Sequence, residues 1–262
     1  MRWIIQEDSF PQELQALYET LDKNNVKYTK VKEEADLKKI NPYWVEPAFF
    51  YGSLQWAKKI YLESDIDVFY SPTDFTCRNY YPILGEFLLN GNYVMLPFNE
   101  LKRQKEFLFH CVGEDRAIFL RPDREDKIFT GTLVYKEDYE EQVDYWTGYA
   151  FKRKINLAEE LVIASEPKNL AFEWRFVIIN GLVSTGSQYR ENNRVASDAS
   201  YTEEAMQFAQ VIANKYKPDT IFIVDVCLTK AGNYHLMEIG PFSCAGLYAC
   251  NLDIIVKGIE GL

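Results

Sequence analysis

Histidine is scarce: His110 and His235 are the two in 262 residues. That excludes an HExxH metal motif, and neither histidine has a serine or cysteine partner placed by sequence for nucleophilic catalysis. Glycine-rich phosphate loops of the GxxxxGK[ST] and GxGxxG kinds are missing, as are protein-kinase signatures. If the chain handles a nucleotide, it does so with side chains on strands. The five cysteines, Cys77, Cys111, Cys227, Cys244 and Cys250, show no CxxC spacing. Three lie in apolar contexts that favour a reduced, buried thiol. No charge-free run approaches the roughly 18 residues that a membrane-spanning helix needs. The N-terminus turns acidic at Glu7-Asp8 before a signal-like apolar run develops. We therefore expect no membrane partner and a cytoplasmic location.

Basic residues are in the minority, 29 against 39 acidic ones, for a formal net charge of −10. General nucleic-acid binding needs a positive surface that displaces phosphate counterions, so the balance argues against it while leaving room for a local basic pocket. Tyrosine and phenylalanine are plentiful, 18 and 17, which core and interface packing explain without a functional role. The length suffices for one large domain or several small lobes.

Along the chain, Trp3-Ile4-Ile5 reads as a strand, and Ser9-Phe10-Pro11-Gln12 as a capping box with proline in the first turn. Leu14, Leu17, Tyr18 and Leu21 follow at helical spacing, Asn24-Asn25 stops that helix, and strands are expected over 26–31 and 47–51. This alternation predicts a small α/β domain. Residues 71–92 read as an irregular aromatic connection. Asn99 reads as the cap of a charged helix carrying Leu101, Leu108 and Val112, with strands over 117–120 and 131–135. Tyr139, Val143, Trp146 and Ala150 share one helical face. From Leu161 the pattern is sheet-rich, with strands over 161–163, 175–179, 182–189 and 221–228, and Asn180-Gly181 is a strong hairpin signal. A helix over about 203–216 interrupts the strands, and a last hairpin turns at 230–233. We divide the chain into 1–72, 73–160 and 161–262.

Charges inside these apolar strands are the informative features. Asp225 sits in Ile221-Phe222-Ile223-Val224-Asp225-Val226-Cys227-Leu228, and Glu238 in Leu236-Met237-Glu238-Ile239 across the turn. Counted out from that turn, the two carboxylates fall on neighbouring strands, near enough to share a cation. Two buried carboxylates side by side are costly unless paired or metal-bound, and an all-oxygen site of few ligands suits Mg²⁺. For Asp225 alone, an ion pair with a nearby Arg or Lys, or exposure at a strand end, is the plainer explanation. Arg121 ends the strand Ala117-Ile118-Phe119-Leu120, Lys127 follows six residues on, and Arg175 interrupts Glu173-Trp174-Arg175-Phe176-Val177-Ile178. Arginine's fork suits phosphate and lysine acts as a mobile point charge, though pairing with neighbouring carboxylates is the plainer explanation for each taken singly.

In this order, these stretches together with Gly186-Ser187-Gln188-Tyr189-Arg190 and Gly240-Pro241-Phe242-Ser243 resemble the ATP-grasp superfamily. They are most similar to its clade named for two arginines and a lysine. The resemblance spans roughly residues 75–250 and implies an α+β fold in which two α+β lobes clasp a nucleotide, preceded by a small α/β domain. It implies ATP and Mg²⁺ as cofactors. Arg121, Lys127 and Arg175 would meet the phosphates, the 161–166 strand with Ser165 and Glu166 would lie beside adenine and ribose, and Asp225 and Glu238 would hold magnesium. Arg175 and Arg190 would be catalytic, Arg190 meeting the acyl substrate's carboxylate or the transferring phosphoryl group. The implied chemistry is a carboxylate–amine or carboxylate–thiol ligation through an acyl phosphate, on small-molecule or peptide substrates. The family usually places asparagine two residues after the second metal-binding glutamate, whereas this chain has Gly240; either a water or Ser243 fills that place, or the second metal is lost and activity is weakened.

Two other readings stand beside the ligase. An ATP-grasp-type kinase would keep the nucleotide site and phosphorylate a hydroxyl. A non-catalytic nucleotide-binding or protein-interaction module is favoured slightly by Gly240 and by the aromatic connection at Tyr80-Tyr81. No sequence feature specifies an oligomeric state.

Overall fold

Trp3, Ile4 and Ile5 are fully buried, the pattern of a strand covered on both faces. They form the centre of β1 (Arg2–Gln6), which pairs in parallel with β2 (Tyr28–Val31) on one side and β3 (Ala48–Tyr51) on the other. Between β1 and β2 runs α1 (Leu14–Lys23), burying Leu14, Leu17, Tyr18 and Leu21 as their spacing predicts. The capping box at Ser9 does not form. Phe10 takes a left-handed φ of 51°, and Glu13 occupies the N-cap position without a side-chain cap bond; its carboxylate is engaged elsewhere. After β3 comes α2 (Leu54–Glu63), an element the sequence pattern did not suggest.

The computed structural model describes residues 1–33, 36, 47–124 and 129–262. Two compact units emerge, Met1–Phe75 with Leu170–Leu262, and Thr76–Asn169.

The second unit opens on α3 (Cys77–Leu84), which buries Tyr80 and Tyr81. This corrects the expectation of an irregular connection; Pro82, inside the helix, reads as a breaker in a sequence. β4 (Tyr93–Pro97) leads into a 3-10 turn, Phe98–Glu100. Asn99 lies in that turn, anchored by the buried Phe98 and Leu101, so the helix α4 (Lys105–Val112) begins later than Asn99 would cap it. β5 (Ala117–Pro122), β6 (Thr132–Tyr135), α5 (Tyr139–Lys152) and β7 (Leu161–Ser165) follow, and the four strands form an antiparallel sheet in the order β4-β7-β5-β6. The buried residues of α5 are Tyr139, Val143, Trp146 and Ala150, the four that share its face.

In the first unit the chain resumes as an antiparallel sheet of β8 (Leu170–Ile179), β9 (Leu182–Glu191), β10 (Arg194–Asp198), β11 (Ile221–Thr229) and β12 (Tyr234–Pro241), ordered β10-β9-β8-β11-β12. Asn180 and Gly181 turn β8 into β9 with φ of 53° and 79°, the left-handed pair that a type I′ hairpin demands. α6 (Glu203–Lys215) packs on this sheet, and α7 (Leu252–Glu260) packs on β8, β9 and α1. Val177, Ile179, Ile221 and Ile223 share one core with Trp3, Ile5, Phe49, Tyr51 and the buried face of α7. Side chains alternate along a strand, so Arg175 and Asp225 point to the same face as Val177 and Ile223, one step beyond the apolar region. The core thus ends where the charges begin.

Cys77, Cys227 and Cys250 are buried and all five cysteines are free. Among the described residues no helix is long and apolar enough to cross a membrane.

Phe242 holds this core together. Its fully buried ring lies 5.7–6.4 Å from the rings of Trp3, Phe49, Tyr51 and Phe69. Phe242→Ala should cost about 3–5 kcal/mol in denaturant unfolding; a loss under ~1 kcal/mol would contradict this packing.

Candidate functional site

One register line crosses four strands of the five-stranded sheet. Ser187 opposes Arg175, Arg175 opposes Asp225, and Asp225 opposes Glu238. The expectation that Asp225 and Glu238 fall on neighbouring strands holds. Within the row, Arg175 Nε and Nη2 donate to Asp225 Oδ1 and Oδ2 at 2.9 and 2.7 Å, and Nη1 donates to the Gly246 carbonyl at 2.8 Å. The side chains are 14% and 5% exposed, so the pair is largely desolvated, and the two-pronged geometry is what makes such burial tolerable. Burial alone would lower the Arg175 pKa, but Asp225 more than offsets it and holds the guanidinium well above its usual value.

Two β-bulges frame the row. Between Glu173 and Trp174 the β8–β9 register slips by one, leaving Tyr189 as the extra residue. Beside Asp225 the β11–β12 register slips likewise, leaving Met237 as the extra residue. A bulge bends its strand and re-aims a side chain. Here the two extra residues meet, the Tyr189 hydroxyl donating to Met237 Sδ at 3.7 Å. Tyr189 also stacks on Tyr248, with centroids 5.1 Å apart and planes at 13°. The Arg175 guanidinium faces both rings, 5.8 and 5.1 Å from their centroids, a cation–π arrangement. Burial, then the carboxylates of Asp225 and Glu173, push the Tyr189 phenol well above its usual pKa, so it remains a neutral donor.

Arg190 lies two pairs along, past Trp174–Gln188, its Nη1 3.6 Å from Glu173 Oε1, with side-chain exposures of 43% and 3%. Its buried Nε has no hydrogen-bond partner. Burial raises the Glu173 pKa, and the Arg190 charge opposes that shift.

The other nominated residues belong to the second unit. Arg121, on β5 opposite Ile163 of β7, is half-buried, and its Nε donates to the Pro122 carbonyl at 3.4 Å. Ser165 is fully buried and donates to Asn90 Oδ1 at 3.0 Å. Glu166 pairs with Lys168. Asp123, 1% exposed and just past β5, is committed to α3: the backbone N–H and Nε of Arg78 donate to its carboxylate at 2.7 and 2.5 Å. Lys127 lies outside the described residues.

Gly240 opposes Ile223 on β12. Ser243, named as a substitute for the usual asparagine, is fully buried, and its Oγ accepts the Phe69 N–H at 2.9 Å. It serves the loop and not the carboxylates. Among the described residues no group of three or more His, Cys, Asp or Glu side chains is arranged to hold a metal. The pair Asp225 and Glu238 is the arrangement in the row with hard oxygen donors from adjacent strands.

Sequence reasoning missed Glu13, Tyr189, Met237, Gly246 and Tyr248. The stretch Gly186-Ser187-Gln188-Tyr189-Arg190 carried a signal for Tyr189, but a bulge cannot be read from an alternating pattern.

The fold is the ATP-grasp fold. It superposes on D-cycloserine synthetase DcsG with a TM-score of 0.67 at 10% identity, covering 100% of this chain and 99% of that one. The RimK domain ATP-grasp protein from Sphaerobacter thermophilus gives 0.64 at 13% identity over 100% of each chain. D-alanyl-alanine synthetase A from Vibrio cholerae gives 0.62 at 13% identity, over 100% of this chain and 98% of that one. The model of the ATP-grasp domain, R2K clade family 2, matches residues 101–257, and the chain belongs to that family. No curated protein matches it in sequence.

Replacing Arg175 by Met leaves the buried Asp225 carboxylate without its charge partner. Arg175→Met should lower stability by about 3–5 kcal/mol in urea unfolding, while Arg175→Met with Asp225→Leu should recover most of that loss; additive losses would contradict the pairing.

Proposed function

We propose that the chain is an ATP- and magnesium-dependent ligase that activates a carboxylate as an acyl phosphate and passes it to an amine or a thiol. The observation that carries this reading is the cross-strand row Arg175–Asp225–Glu238 in a member of the ATP-grasp family. The donor set fits magnesium, which keeps several waters and takes phosphate oxygens alongside one or two carboxylates. Asp225 and Glu238 would hold it, and when bound it would neutralise the phosphate charge that develops in transfer.

The protein's own groups would do the rest by position and charge. Arg175 presents a rigid fork at the row, matched to a phosphoryl group, and would remain paired if it gave up Asp225 for a phosphate. Arg190, half-exposed at the rim with one buried unpaired N–H, suits the acyl carboxylate. Arg121 and Lys127 are assigned to the ATP phosphates, and Ser165 and Glu166 to the adenosine end. The exposed Glu166–Lys168 pair is weak enough to open for a ribose. No side-chain nucleophile is required, because phosphoryl transfer of this kind rests on positioning and electrostatic stabilisation. That agrees with His110, which is exposed and lies 3.8 Å from Asp115. The names D-cycloserine synthetase and D-alanyl-alanine synthetase belong to the neighbours; they support a synthetase reaction here, with a small-molecule or peptide acid and an amine as the substrate classes.

A second reading, a nucleotide-binding module without catalysis, is favoured by one observation. Both oxygens of Asp225 are engaged by Arg175, and Gly240 supplies no further ligand.

Thermal unfolding with and without Mg²⁺ and ATP tests the site. At about 100 times its dissociation constant the ligand should add ~2.7 kcal/mol, a rise of roughly 5–10 °C at this size. Asp225→Asn and Glu238→Gln should each abolish the rise. Release of ADP and phosphate only with both acid and amine present would support the ligase, and a phosphorylated product would indicate a kinase. A rise without turnover on any acid and amine pair favours the module, and no rise overturns the nucleotide site.

A further inference from the structure

We infer that Glu13, in the turn before α1, is a positioning residue for the Arg175 site; its functional consequence rests on the reading above. The carboxylate is not exposed bulk charge. Leu247 N–H donates to Oε2 at 2.7 Å and Tyr248 N–H donates to Oε1 at 3.1 Å, across more than 230 residues of sequence. Two backbone donors on one carboxylate are charge-assisted bonds of the stronger kind. They bind the loop after β12 at the point where it serves the site.

That loop makes two contacts to Arg175. The Gly246 carbonyl accepts from Nη1 at 2.8 Å, and the Tyr248 ring lies 5.1 Å from the guanidinium while stacking on Tyr189. Tyr248 takes a left-handed φ of 50°, a conformation that a bulky residue holds only when its surroundings impose it. The Tyr248 N–H bond to Glu13 is such an imposition. The approach is close: a Cβ on Gly246 would stand 3.2 Å from Glu13 Oε1 and 3.7 Å from the Phe10 ring. Phe10 in turn packs on Tyr51, whose hydroxyl donates to the Ala245 carbonyl at 2.8 Å. The N-terminal α/β segment therefore grips residues 245–248, and these hold the third donor and one π face of Arg175. Asp225 fixes two of the guanidinium's nitrogens, and Glu13, through the loop, fixes the direction of the third.

Three ligand-free proteins and one double variant test this: wild type, Glu13→Ala, Arg175→Lys, and Glu13→Ala with Arg175→Lys. The first readout is hydrogen exchange of the Arg175 side-chain N–H groups by ¹⁵N NMR, assigned by their loss in Arg175→Lys. The second is Mg²⁺·ATP affinity by calorimetry. The inference expects Arg175 exchange at least tenfold faster in Glu13→Ala, and Mg²⁺·ATP binding about tenfold weaker. It also expects the double variant to bind no worse than Arg175→Lys alone, because Glu13 acts through Arg175. A purely structural role for Glu13 predicts additive losses instead, and additivity overturns the inference. Unchanged Arg175 exchange in Glu13→Ala overturns it too. Faster exchange in Glu13→Ala, together with a wild type that binds no nucleotide, would support Glu13 as the support of Arg175 while removing the proposed ATP function. Glu13→Gln, which keeps one acceptor, should fall between wild type and Glu13→Ala in both readouts.

Discussion

A buried ion pair is the constraint around which the five-stranded sheet is arranged. Taking a guanidinium and a carboxylate out of water costs several kcal/mol per ion, and Coulomb attraction returns this only when geometry is good and the remaining donors are satisfied. Arg175 and Asp225 meet that condition through two parallel hydrogen bonds between adjacent strands, a third bond to the Gly246 carbonyl, and two tyrosine faces. Packing does not require the pair, since apolar residues of the same volume often serve stability as well. Directly along the same strands, Val177 and Ile223 do just that in the neighbouring core. The switch from apolar to charged side chains on one face is therefore not explained by packing alone.

The surroundings of the pair follow from that switch. Regular pleating would alternate Tyr189 and Met237 with their neighbours; the bulges beside Glu173 and Asp225 place them instead as a contacting pair next to the charges. Burial near two carboxylates keeps the Tyr189 phenol protonated, so the wall of the site offers donors and π faces and adds no further negative charge. Glu173 and Arg190 repeat the ion-pair motif in a looser form at the rim, at 3.6 Å and with the arginine 43% exposed. Under the proposed function the tight pair would supply a fixed fork for a phosphoryl group, and the loose one an adaptable cation for a variable acid.

Much of this was legible in the sequence. A single charge in seven apolar residues marked β11, the distance from the 230–233 turn paired Asp225 with Glu238, Asn180-Gly181 marked its hairpin, and the spacing of Tyr139, Val143, Trp146 and Ala150 gave the buried face of α5. What was not legible has physical causes. A proline inside α3 masked a helix whose tyrosines are core. A period-two pattern says which face a residue takes but carries no trace of a one-residue slip, so Tyr189 and Met237 could not be assigned. Glu13 drew no reading from the sequence, because nothing local indicates a partner more than 230 residues away. An arginine or aspartate inside a strand is compatible with an ion pair and with a ligand site alike, and here the structure shows the pair while family membership supports the ligand site.

The most direct test of the central claim locates the metal with its nucleotide. Mn²⁺ is paramagnetic and stands in for Mg²⁺ at oxygen sites, so in the presence of ATP it should selectively broaden the backbone NMR signals of residues 225 and 238 and their strand neighbours. Broadening centred on those two strand positions is the result the account predicts. Broadening centred on another part of the chain, or none with ATP present, would contradict it.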